Sequence, residues 1–375
     1  MLVFVEDPGA ANGVLTLAPA LHARGAWACV VAAEPALSYM RGRSNGVTAL
    51  GADDTAAMLL ERHAPSVVLV GTSENERTLG LALVDAARER GIATAGFVDG
   101  FANAAFRFRG TSSDALAHCP DVVLVPDAPT RDAFVGLGLK ASRILVTGHP
   151  HHDEVLAKRA LLEAEGRAAV RRRSIPGAAP DAKVVTFVSE LSTGFDPTQF
   201  KRSADYTLQG RGERDGRTEI VLEELVDALR AHKDTPIHLV VRLHPKNTRA
   251  ELGSLLDEAA EVGEGGSALD VVFASDLVVG MTSMLLVEAS LLGRPTLSIV
   301  PRAVEKAWLP TIAAGTTPCA TTRAEISREI ASWHAREGTA TESSVAAGAL
   351  GRMVDALLDR SPGGLAAVDP AGPLR

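Results

Sequence analysis

Only three cysteines, Cys29, Cys119 and Cys319, occur in 375 residues. They are too few and too scattered for a disulfide framework or a zinc knuckle, and a reducing cytoplasm is the expected home. No apolar run reaches the roughly 18 residues that a membrane-spanning helix needs, so at most a peripheral membrane contact is expected. The opening MLVFVEDPG carries no basic segment and turns acidic at Glu6-Asp7, which is not the pattern of a secretory leader. With 34 glycines and 20 prolines, usage is ordinary, so collagen-like and low-complexity readings fall away. A net charge of −8 argues against a protein that grips nucleic acid with its whole surface. The dinucleotide fingerprint G-x-G-x-x-G is missing too. Gly9 and Gly13 after the first apolar run have three residues between them, which is not that spacing, and NAD gains little support. No phosphate-binding P-loop, nucleophile elbow or kinase signature occurs.

What is present is apolar material in short pieces. Hydrophobic residues make up 46% of the chain, and the length implies about two domains. LVFVE (2–6), WACVVAA (27–33), SVVLVGT (66–72), TAGFV (94–98), DVVLV (121–125) and RILVT (143–147) alternate with stretches of helical period. Runs that are apolar throughout, separated by helices, belong to a parallel sheet covered on both faces. After a charged helix over 153–173 and the break SIPGAAPDA, the pattern restarts with KVVTFVSE, PIHLVVRLHP, SDLVVG and PTLSIV. The expected architecture is therefore α/β, with two doubly wound Rossmann-like domains facing across a cleft. Residues 1–150 form the first domain, 181–340 the second, and 341–360 a terminal helix; 191–217 reads as a mobile loop. In such sheets ligands bind beyond the carboxyl ends of the strands.

Two strand-to-helix loops carry residues suited to anion chemistry, and two more carry candidate acids. Gly280 ends a strand, and Thr282-Ser283 then sits where an apolar helix begins. The unpaired N–H groups and dipole of a helix start favour a phosphate, although the pair equally suits a simple cap. Glu288, one turn further on, is placed to accept from ribose hydroxyls. In RLHPK, Pro245 stops the strand and leaves His244 in the loop layer, with Lys246 adding charge; a plain loop histidine remains the alternative. In the first domain, Asp99-Gly100 follows the strand TAGFV, either as a carboxylate able to take a proton or as a turn. EDPGAANG (6–13) offers Asp7 as the second such acid. Gly9 and Gly13 allow close backbone approach there, and Asn12 is read as the cap of the next helix. HPHHD (149–153) places three histidines together, but adjacent residues rarely converge on one ion, so no metal is expected.

The strand–LHPK segment followed by SDLVVGMTSMLLVEASLLGRP resembles the carboxyl-terminal half of GT-B glycosyltransferases, most nearly capsule, sialyl- and Kdo-transferases and glycerophosphotransferases. The resemblance implies that His244, Lys246, Thr282 and Ser283 hold the nucleotide phosphate of a CMP-, CDP- or UDP-linked donor, with His244 assisting its departure. Glu288 resembles the ribose-binding glutamate of the wider superfamily, which includes UDP-GlcNAc 2-epimerases. ILVTGHPHHD (144–153) is similar to the segment where such chains cross between domains, with His149 in place of the usual Asn. FVDGFAN resembles an acidic motif whose carboxylate is the general base, and this implies that role for Asp99, although Val98 replaces the first acid. Asp7, Gly9, Asn12 and Gly13 then face the acceptor or donor sugar. The implied activity is transfer of a sugar or polyol phosphate to an acceptor hydroxyl, without cofactor or metal, in glycan biosynthesis. The alternatives are a non-hydrolysing UDP-sugar 2-epimerase-like enzyme and a non-catalytic sugar-nucleotide-binding module.

Overall fold

The structure is a computed structural model that describes residues 1–44, 46–73, 75–100, 103–190, 200–232, 236–244, 247–336 and 346–359. Thirteen strands are described, in two sheets of seven and six, parallel throughout. β1 (Leu2–Val5), β2 (Cys29–Ala32), β3 (Val47–Ala49), β4 (Val67–Gly71), β5 (Ala93–Phe97), β6 (Val122–Val125) and β7 (Ile144–Val146) build the first, in the order 3-2-1-4-5-6-7. β8 (Lys183–Val188), β9 (Ile237–Arg242), β10 (Glu261–Gly263), β11 (Leu277–Gly280), β12 (Thr296–Ile299) and β13 (Cys319–Ala320) build the second, in the order 10-9-8-11-12-13. Counted from its own first strand, the second sheet repeats the 3-2-1-4-5-6 order, so both are doubly wound Rossmann-like sheets. Each reverses direction once, at β1/β4 and at β8/β11, and those switch points are where such sheets open a ligand crevice.

The apolar runs behave as fully covered strands should. Every residue of β1, β4, β6, β11 and β12 is buried. Edge strands β3, β10 and β13 escape the sequence pattern because they are two or three residues long and only partly covered. The chain divides into two compact units, Val155–Val345 forming one and Met1–Glu154 with the C-terminal helix the other. That helix, Ala349–Leu358, joins the first unit's core, where Met353, Val354, Leu357 and Leu358 pack with Val3, Val14 and Leu17. Asp153 ties down its start, accepting the backbone N–H groups of Gly348 at 2.7 Å and Leu350 at 2.8 Å.

Local chemistry corrects several expected boundaries. EDPGAANG is not a loop: Asp7 caps a helix at Pro8–Val14, with proline in the first turn where no N–H is missed. Asn12 is therefore inside that helix and caps nothing; its side-chain oxygen accepts the Tyr39 hydroxyl at 2.9 Å. The expected helix over 153–173 is two helices, Pro150–Glu165 and Arg167–Ser174, interrupted at Gly166, whose φ of +85° no side chain favours. Of the loop expected over 191–217, residues 191–199 lie outside the described residues. The remainder leads through a Lys201–Gly216 bridge into the helix Arg217–Arg230.

Candidate functional sites

In the second unit, β9, β8 and β11 are neighbours, so the loops beyond their carboxyl ends share one edge. Ser189 and Glu190 follow β8 and link the other two loops. The Ser189 hydroxyl accepts the His244 backbone N–H at 2.8 Å. Glu190 receives the Thr282 backbone N–H on one carboxylate oxygen and the Thr282 hydroxyl, at 3.0 Å, on the other. His244 and Thr282 are thus tied to the adjacent residues Ser189 and Glu190, and Thr282 to a carboxylate that sequence reasoning did not select.

That carboxylate is braced from behind. Arg217, 3% exposed, reaches Glu190 at 2.8 Å, the Thr282 hydroxyl at 3.3 Å, and Glu305 through Nε at 2.9 Å. Glu305 is fully buried and also holds Arg302 at 2.7 Å. Burial alone would push the Arg217 proton affinity down, but the charges of Glu190 and Glu305 outweigh it and raise it, so the guanidinium stays charged. The network is a buried chain of alternating sign that ends at the half-buried Glu190.

Ser283 caps the helix Met284–Leu291, its hydroxyl accepting the Leu285 N–H at 3.2 Å. The cap reading of this residue is therefore correct as far as it goes. The helix start still has donors to offer, because the backbone N–H groups of Ser283 and Met284 find no acceptor among the described residues. Glu288 lies half-buried on the second turn of the same helix. Lys246 lies outside the described residues.

In the first unit, the loops beyond β1, β4 and β5 converge on Asp99. Its carboxylate accepts the Thr72 hydroxyl at 3.3 Å and pairs with Arg107 at 3.4 Å. Gly9 presses against the other carboxylate oxygen so closely that an added Cβ would stand 2.0 Å from it. Gly13 is similarly enclosed, a Cβ there falling 2.1 Å from the Phe97 ring. Glycine at these two positions is therefore a matter of space. Asp7 accepts the Gly9 N–H at 3.2 Å as a helix cap, which gives it a structural duty that Asp99 does not have. Phe101 and Ala102 of FVDGFAN lie outside the described residues.

The histidine run packs instead of converging. His149 and His152 stack with ring centroids 5.1 Å apart, and His149 meets Phe97 edge-on at 5.3 Å. Burial, with the charge of neighbouring histidines, holds His149 well below its usual range and pushes His152 down to about 4. An unfolded chain takes up these protons near pH 6.5, the folded one only near pH 4 for His152, so unfolding consumes protons in between. Stability is accordingly expected to fall as pH drops from about 6.5 towards 4, by up to about 3 kcal/mol from His152 alone. Urea melts at stepped pH check this: His152→Leu should flatten the slope, and a wild-type slope in that variant would contradict it.

No protein-family model matches the chain, and no curated protein matches it in sequence. Solved structures do match its fold. UDP-GlcNAc 2-epimerase from Neisseria meningitidis, solved with UDP-GlcNAc, superposes with a TM-score of 0.65 at 14% identity, over 96% of this chain and 99% of that one. The Methanocaldococcus jannaschii UDP-GlcNAc 2-epimerase, in complex with UDP-GlcNAc and UDP, gives the same TM-score, identity and coverage. The Staphylococcus aureus protein MnaA, solved with UDP, gives 0.63 at 14% identity over 94% of both chains. At this identity the likeness is one of fold, and it extends through both units.

Proposed function

We propose that this chain is a nucleotide-sugar enzyme of the 2-epimerase kind, which binds a UDP-linked sugar and inverts the configuration at C2. The observation that supports it most is the end-to-end fold match to UDP-GlcNAc 2-epimerases solved with UDP-GlcNAc or UDP. The transferase expected from sequence is compatible with the same fold. The matched chains are epimerases, however, and this favours the second of the sequence readings. No acceptor molecule is then required.

In this reading the second unit binds the nucleotide. The diphosphate charge is met by the helix start at Ser283 and Met284, by the Thr282 and Ser283 hydroxyls and by His244, with no metal or cofactor. A carboxylate already sits on the Thr282 N–H, so a diphosphate arriving there either displaces Glu190 or uses the next two amides. Glu288 serves the ribose hydroxyls. Inversion at C2 takes a proton from one face while the C1–O bond to UDP breaks and a C1–C2 double bond forms. A proton is then returned to the other face of C2 as UDP re-adds at C1, and Asp99 of the first unit is the candidate base.

The test is a melting panel with CMP, CDP, UDP, GDP and TDP. A nucleotide that binds only the folded state, at a hundred times its Kd, stabilises by about 2.7 kcal/mol. UDP should raise Tm most, and a flat response to all five would remove the reading. Thr282→Ala combined with Ser283→Ala should weaken UDP binding about tenfold or more, the value of one or two hydrogen bonds to a charged group. Calorimetric titration checks this, and unchanged affinity in a folded double variant would contradict it.

A further inference from the structure

The second sheet has a pocket at the edge opposite the nucleotide loops. It holds about 390 Å³ and is lined where β8, β11 and β12 begin, at Lys183, Leu277 and Thr296. That volume lies within the range of small-ligand sites. Ligands of doubly wound sheets are expected at the carboxyl edge, so nothing in the proposed activity accounts for a pocket here.

Its charge is unbalanced. Arg167, Lys183, Arg294 and Arg336 line it, against only Asp276 and Glu329. Both carboxylates are already engaged. Asp276 is held by Arg167, by Arg171 at 2.8 Å and by the Val184 N–H at 2.7 Å, while Glu329 pairs with Arg328 at 3.2 Å. Lys183 donates to the His334 carbonyl at 2.7 Å. Arg294 and Arg336 make no ion pair and no side-chain hydrogen bond among the described residues. The Arg294 Nε is buried without an acceptor, and its guanidinium lies 5.5 Å from the Phe273 ring. Burial, and then the charge of Arg167, push Arg294 down to about 10, with Asp276 and Glu163 opposing the shift only in part. In a chain of net charge −8, a pocket with surplus cations stands against the overall field.

We propose that this pocket is a second ligand site, separate from the nucleotide loops, which takes a small phosphorylated metabolite with its phosphoryl group on Arg294 and Arg336. Two guanidinium groups without partners suit the forked recognition of a phosphoryl group. The cavity is larger than a bare phosphate requires, leaving room for the organic part of the ligand. Trp333 supplies a wall whose position is fixed by its indole N–H, which donates to the Asp276 carbonyl at 3.1 Å.

The test is calorimetric titration of the full-length chain with ribose 5-phosphate and with inorganic pyrophosphate, for the wild type and for Arg294→Gln, Arg336→Gln and Thr282→Ala. Saturable binding of at least one probe is expected. It should weaken tenfold or more in each arginine variant, and binding of ribose 5-phosphate should stay at the wild-type value in Thr282→Ala. Arg336 is exposed, so its variant carries the test should Arg294→Gln fail to fold. The absence of binding by both probes overturns the proposal. So does equal affinity in the wild type and the folded arginine variants, or a loss seen only in Thr282→Ala. None of these readouts requires epimerase activity, so the two proposals fail separately.

Discussion

Asp99→Asn is expected to lower turnover of a UDP-linked sugar by roughly 10²–10⁴-fold, the range for a lost general base, with UDP affinity unchanged. The expectation rests on how the carboxylate is held. Thr72 and Arg107 approach one oxygen, at 3.3 and 3.4 Å, and Gly9 closes on the other, so its orientation is set before any substrate arrives. Its side chain nevertheless stays 20% exposed, enough to meet a ligand. Asparagine keeps the shape and can still accept from Thr72, but it cannot take a proton. Asp7→Asn is the control, because asparagine caps a helix about as well as aspartate and the Pro8–Val14 helix should survive. Steady-state kinetics with parallel UDP titration decides between them. Loss of turnover in Asp7→Asn with near-normal activity in Asp99→Asn would move the base to Asp7.

The second large effect is on stability. Arg217→Met is expected to destabilise the protein by about 3–5 kcal/mol, because one buried cation is shared by two carboxylates and its removal strands charge. Glu305 is fully buried and would keep only Arg302 at 2.7 Å, while Glu190 would lose its partner at 2.8 Å. Arg217→Lys should recover little. A single ammonium cannot reproduce a fork that meets Glu190, Glu305 and Thr282 from different nitrogens. Adding Glu305→Gln to Arg217→Met should return part of the loss, since the stranded charge is then removed. Urea denaturation measures all three, and a loss below about 1 kcal/mol in Arg217→Met would show that the network is dispensable.

The sheets were legible because wholly apolar runs such as VVLVG and LVVG tolerate no reading but covered strands. Short edge strands were not, since VTA and EVG carry too little pattern to stand out from loops. The helix at Pro8–Val14 was hidden by its own glycines, which look like loop residues until Phe97 and Asp99 are seen pressed against them. His244, Thr282 and Asp99 were selected as candidates because each lies two residues beyond the end of a strand. Glu190 carried the same signal, a carboxylate just past KVVTFV, and was passed over for want of a motif. Arg217, Glu305 and Arg107 could not have been found this way. Their partners come from distant parts of the chain, and only the sheet order brings them together.

The central claim is inversion at C2 of a UDP-linked sugar. It is tested most directly by incubating the purified protein with UDP-GlcNAc in deuterium oxide and following the sugar protons by NMR. The account predicts that the C2 epimer appears and carries deuterium at C2, because the proton taken up by the base exchanges with solvent before one is returned. UDP-GlcNAc that binds, yet neither changes configuration nor gains deuterium after many expected turnovers, would contradict it.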